Sequence, residues 1–203
     1  MKSLTLWFPL AGVVLMAAAA QAQTLQGPAL VQALQKGGYV IVMRHAASPR
    51  QAPAQAAANA DNTKLERQLD EEGRKTSAEF GKALRDLKIP IGEVLVSPTY
   101  RAMETMKYAQ LSNPKAEPAL GDNGQDMQGG TEAQAVWTRT RVTRFSAGTN
   151  AVLVTHAPNL TRAFPDAATA LADGEALIFG SDSKGGATVV ARLKIDEWAK
   201  LAR

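Results

Sequence analysis

The sequence predicts an α/β domain in which helices cover a largely parallel sheet, and three observations carry that reading. Short β-branched runs at 39–43, 94–96 and 151–155 are apolar almost throughout, the pattern of a strand buried on both faces. Helix-period stretches lie between them, and strands that alternate with helices build parallel sheets. Apolar residues make up 45% of the 203 and charged residues 21%, which suits one globular core and argues against wholesale disorder.

Taken in order, residues 1–22 stand apart. Lys2 gives a positive start, 4–20 run without a charge, and Ala20, Gln21 and Ala22 form a small-residue exit, the build of a secretory signal peptide cleaved after Ala22. An uncleaved anchor is the rival reading, because the apolar run is near the shortest that spans a bilayer. A peptidase needs the small-residue exit and an anchor does not. With no cysteine to acylate, a lipoprotein is disfavoured. The expected layout is a signal peptide at 1–22, a single domain over 23–203 without a membrane span after processing, and a periplasmic or secreted location.

Residues 25–36 carry apolar positions at helical spacing and end at Gly37 and Gly38, a C-cap. Strand 39–43 follows. Residues 51–60, crowded with Ala, Gln and Pro, read as an irregular loop or short exposed helix. A helix over 71–87 puts Phe80, Ala83, Leu84 and Leu87 on one face and stops before Pro90. After strand 94–96, Pro98 sits where a helix opens, with Ser97 as N-cap and Arg101 in its first turns. Residues 131–145 form a further helix, 176–179 and 188–195 two more strands joined by a polar turn at 181–186, and a short helix starts at 196. Trp137 and Trp198 read as packing residues.

Composition then narrows the chemistry. Zero cysteines exclude a disulfide scaffold, a thiolate metal site and a cysteine nucleophile. The chain's two histidines, His45 and His156, are too few for most histidine-built zinc sites, so neither metal nor cofactor is expected. The net charge of +4 is scattered without a basic stripe, which disfavours a nucleic-acid partner.

In parallel sheets ligands gather beyond the carboxyl ends of the strands. The first run is followed by Arg44 and His45, the second by Ser97-Pro98-Thr99-Tyr100-Arg101, and the third by His156. Both histidines therefore fall at site positions, each near an arginine. A neutral imidazole can attack phosphorus in line, while guanidinium forks hold the equatorial oxygens whose charge must be stabilised. Neighbouring arginines also resist protonation of His45.

The pieces Val40-Ile41-Val42-Met43-Arg44-His45-Ala46, Ser97-Pro98-Thr99-Tyr100-Arg101-Ala102 and Val152-Leu153-Val154-Thr155-His156, with Gly73 at a helix opening, resemble the histidine phosphatase superfamily. That family includes phosphoglycerate mutase-like enzymes, acid phosphatases and phosphohistidine phosphatases. The resemblance runs over essentially the whole chain after residue 38. It implies a three-layer α/β/α sandwich with a mostly parallel central sheet, His45 as the nucleophile, and Arg44, Arg101 and His156 as the phosphate pocket, with His156 a third cationic donor if the bound dianion protonates it.

A leaving alkoxide also needs a proton. Acid phosphatases of the superfamily place Asp directly after the second histidine, where this chain has Ala157. Mutase-like relatives use a carboxylate between the second arginine and second histidine, which offers Asp122, Asp126 and Glu132; Glu175, entering a strand after His156, is a further candidate. Glu175 and Asp126 rank first. Asn159 either steadies the pocket or caps a turn. The resulting expectation is an exported, metal-independent phosphatase acting on phosphomonoesters, with a phosphorylated small molecule or envelope glycolipid as partner. Lipopolysaccharide sugar phosphate is the most specific substrate that exported relatives suggest. The alternative is a phosphate-binding protein that keeps the pocket without turnover.

Overall fold

A computed structural model describes residues 24–49, 67–122, 130–182 and 184–203. The expectations for 1–22, for 51–60 and for Asp126 lie outside the described residues. Helix α1 (Gly27–Lys36) ends at Gly37, whose φ of 74° suits glycine. It is followed by β1 (Val40–Arg44), α2 (Glu71–Asp86), β2 (Ile91–Val96), α3 (Tyr100–Ala109) and β3 (Lys115–Ala116). A 3-10 turn at Pro118–Leu120 leads to α4 (Glu132–Arg141), β4 (Asn150–Thr155), α5 (Ala157–Ala163), β5 (Ala176–Ser181), β6 (Ala187–Leu193) and α6 (Glu197–Leu201).

The six strands form one sheet in the order β3-β2-β4-β1-β5-β6. β1, β2, β3 and β4 run parallel, whereas β5 is antiparallel to β1 and β6 to β5. Residues 156–175, which include the 7-residue α5, connect β4 to β5. The chain enters β5 at the carboxyl end of β1, where Ala176 pairs with Met43.

Each face of the sheet carries its own core, giving the three layers. Ile41, Met43, Val94, Val96, Val152 and Val154 pack with α1, α2, α3 and α6, while Val40, Val42 and Leu153 face the side of α4 and α5. Trp198 is fully buried edge-on to Phe80, ring centroids 5.2 Å apart, and half-buried Trp137 packs on the second core. Both are packing residues, as their placement in the sequence suggests.

Side-chain caps explain the starts of α2 and α4. Asp70 caps α2 by accepting from Gly73 N at 2.7 Å, and Thr131 caps α4 in a capping box with Gln134. At α3 the expectation is corrected: the N-cap is Thr99, not Ser97, and the helix starts at Tyr100. Ser97 has a different task.

Candidate active site

The parallel register assembles the site. Arg44 pairs with Thr155 across β1 and β4, and Val96 with Val154 across β2 and β4. The ladder runs one step further, with His45 N donating to Thr155 O at 3.0 Å and Ser97 N to Val154 O at 2.9 Å. His45, Ser97 and His156 therefore emerge side by side. Gly73 permits the α2 start to lie against the loop after His45: a Cβ there would stand 2.1 Å from Ala47 O.

One pocket is lined by Arg44, His45, Arg67, Arg101, Asp122, His156, Ala157 and Pro158. All four residues expected to form the site, Arg44, His45, Arg101 and His156, meet there. The hydrogen bonds fix both imidazole tautomers, since a carbonyl only accepts and an arginine only donates. His45 Nδ1–H donates to Ala46 O at 2.8 Å, which leaves Nε2 with its lone pair, and Arg101 Nε–H donates to that nitrogen at 3.2 Å. His156 Nδ1 accepts from Arg101 Nη2 at 3.0 Å, so its Nε2–H donates to Ser97 Oγ at 2.8 Å. Ser97 Oγ–H donates in turn to Thr99 Oγ1 at 3.1 Å.

Both rings are held neutral. Burial first, then the Arg101 charge, with Arg44 and Arg67 adding to it, pushes His45 well below 6.5. Burial and Arg101 do the same to His156. In the resting site His156 is a neutral acceptor that orients Arg101. Arg67 is a third cation at the pocket. It is 5% exposed, donates from Nη2 to Ser48 O at 3.4 Å, and is pushed down by burial and by the charges of Arg101 and Arg44.

Sequence reasoning missed Arg67, although a signal exists. It stands three residues before the N-cap Asp70, and the helix-opening stretch Leu69 to Gly73 runs beside the loop after His45. Leu69 N is fastened to Glu104 Oε2 at 3.0 Å, and Asp70 N to Ala47 O at 3.2 Å.

Among the acid candidates, Asp122 reaches the pocket. Its carboxylate pairs with Arg101 Nη2 and lies 3.7 Å from His156 Nδ1, all nearly buried. Burial raises its pKa despite the opposing charge and hydrogen bond of Arg101 and the charge of Arg67. Its position is fixed by the preceding backbone. Asn159 Nδ2 donates to Gly121 O at 2.6 Å and Leu120 O at 3.2 Å, Thr155 Oγ1 to Leu120 O at 2.7 Å, and Gln134 Nε2 to Gly121 O at 3.0 Å. Asn159 therefore steadies the pocket through the segment that carries Asp122.

The other candidates among the described residues, Glu132 and Glu175, stand elsewhere. Glu132 pairs with Arg139 on the exposed face of α4. Glu175, ranked first on sequence, is corrected: it does not line the pocket, because Arg192 on neighbouring β6 and Ala172 N take its carboxylate. Burial pushes its pKa up, but the hydrogen bonds of Arg192 and Ala172 outweigh that and hold it ionised, the wrong state for an acid.

Among the described residues no group of His, Asp and Glu is arranged to hold a metal ion, and no helix is long and apolar enough to cross a membrane. The pocket offers three guanidinium groups, one neutral nucleophilic nitrogen and one buried carboxyl. Buried Arg101 Nη1 has no hydrogen-bond partner among the described residues, an expensive arrangement unless an anion completes it.

The fold is similar to known phosphatase structures. The protein histidine phosphatase SixA complexed with tungstate superposes with a TM-score of 0.57 at 18% identity, over 78% of this chain and 98% of that one. A phosphoserine phosphatase mutant from Entamoeba histolytica in complex with phosphoserine gives a TM-score of 0.54 at 11% identity, over 77% and 97%. No curated protein matches the sequence. The histidine phosphatase superfamily (branch 1) matches at residues 40–147, more than half of the sequence, and the chain belongs to that family.

Proposed function

We propose that the protein is an exported phosphatase that hydrolyses phosphomonoesters through a phosphohistidine on His45, without a metal cofactor. The observation that carries this reading is the tautomer of His45, whose Nδ1–H is committed to Ala46 O while its Nε2 lone pair faces a pocket with Arg44, Arg67 and Arg101.

In the first step Arg101 Nε–H leaves Nε2 for a phosphoryl oxygen, and the freed Nε2 lone pair forms the N–P bond as the P–O bond to the leaving group breaks. The arginines hold the non-bridging oxygens. Asp122, when protonated, gives its proton to the departing oxygen. In the second step the Asp122 carboxylate takes a proton from water, whose oxygen attacks phosphorus and releases phosphate and neutral His45. Asp122 supplies the acid whose absence would have favoured a binding protein without turnover. The guanidinium groups supply the positive charge that a metal supplies in other phosphoryl-transfer sites.

Export rests on the signal-like segment 1–22. It favours substrates met outside the cytoplasm, such as sugar phosphates or the phosphorylated sugars of envelope glycolipids and lipopolysaccharide. The chain from Gln23 onward, assayed in EDTA, is expected to release phosphate from p-nitrophenyl phosphate and from a sugar phosphate, with His45→Ala inactive. Activity that needs an added divalent cation, or that survives in His45→Ala, overturns the reading.

A further inference from the structure

The ion pair of buried Glu175 with exposed Arg192 lies outside the pocket, yet Glu175 belongs to the segment that holds Arg44. Residues 171–175 grip that arginine from several sides: Nη1 donates to Leu171 O at 2.9 Å, Nη2 meets Asp173 Oδ1 at 2.5 Å, and the backbone N–H donates to Glu175 O at 3.1 Å. Gly174 N adds a bond to His45 O at 2.9 Å. The segment is itself tied. Glu175 accepts from Ala172 N at 2.7 Å and from Arg192 Nε at 2.5 Å and Nη2 at 3.1 Å, and Arg192 also reaches Ala167 O at 3.4 Å and Ala170 O at 3.5 Å.

We propose that Asp173 and the Glu175–Arg192 pair are positioning residues for Arg44: they fix its guanidinium on the side away from the pocket so that the fork meets phosphoryl oxygens without reorganisation. This rests on the reading of Arg44 as a phosphate ligand. The physical need is plain, because a flexible arginine loses side-chain entropy when a ligand orders it, and small misplacement of a positioning group is costly. Arg44 sits partly open to solvent, with its side chain 13% and that of Asp173 31% exposed, so burial alone does not fix its rotamer.

The test is a double-mutant cycle on the chain from Gln23 onward, reading steady-state hydrolysis of p-nitrophenyl phosphate, inhibition by inorganic phosphate, and Tm. Asp173→Asn is expected to raise KM and the phosphate inhibition constant about tenfold, with a smaller change in kcat and little change in Tm. In an Arg44→Ala background the same substitution is expected to change neither constant. Arg192→Met reproduces the KM effect in weaker form, and Arg192→Lys, which keeps the charge, restores most of it. Equal losses from Asp173→Asn with and without Arg44 overturn the proposal while leaving the phosphatase reading intact. A wild-type protein that neither turns over substrate nor binds phosphate overturns both.

Discussion

The two arginines that flank His45 are held in opposite ways. Arg101 is 1% exposed, and its partners are His45, His156 and Asp122, all lining the pocket. Arg44 is held by Leu171 O and Asp173, which lie outside it. On the Arg101 side the groups that orient the clamp are the proposed acid and nucleophile themselves, so position and the proposed chemistry share one network. On the Arg44 side the holders are scaffold. Damage to the first should appear in kcat and its pH dependence, and damage to the second in binding.

The largest expected effect tests that contrast directly. Arg101→Lys removes the planar donor to His45 and leaves Asp122 with a mismatched partner, and kcat should fall by about a thousandfold. Arg44→Lys should cost about ten- to a hundredfold, chiefly in KM. Steady-state kinetics on one phosphomonoester decides; equal losses in kcat from both variants break the comparison.

Asp122→Asn comes next. For an alkyl phosphate, whose leaving group needs the proton, kcat should drop by about a hundredfold or more. The loss should be much smaller for p-nitrophenyl phosphate. The sign of the pH effect follows from the raised pKa of Asp122: the protonated form is the working acid, so wild-type kcat on the alkyl ester falls as pH rises through that pKa. Asp122→Asn should lack this limb, and a limb that persists assigns the acid elsewhere.

The smallest effect is on stability. His45 and His156 have folded-state pKa values well below the unfolded 6.5, so the unfolded chain binds more protons as the medium turns acidic. Stability contributed by the neutral rings is fully present above 6.5 and is lost as pH falls below it toward the folded values. Thermal melts from pH 8 to 5 should show Tm declining below about 6.5, and His156→Gln should flatten part of that decline. A Tm independent of pH in this window removes the neutral-histidine account.

The pocket residues His45, Arg44 and His156 are legible in the sequence because they end or follow strands whose burial on both faces leaves unbroken β-branched runs, as at Val40–Arg44 and Asn150–Thr155. The direction of β5 is not encoded in periodicity, because side chains alternate with the same period in parallel and antiparallel strands. That gap explains Glu175, which lies at the pocket end of the sheet but next to Arg192 on an antiparallel neighbour. Arg67 follows no strand and so escapes a search of strand ends. Asp122 was visible only as one acid among several, because what selects it is the set of side chains, Asn159, Thr155 and Gln134, that fasten the backbone before it.

The central claim is that His45 Nε2 accepts the phosphoryl group. Rapid alkaline quench during turnover, followed by peptide mass spectrometry, tests it most directly. The account predicts one phosphoryl group on His45 in the wild type and none in His45→Gln, which should also be inactive. Turnover by His45→Gln, or a phosphoryl group on any other residue, would contradict it.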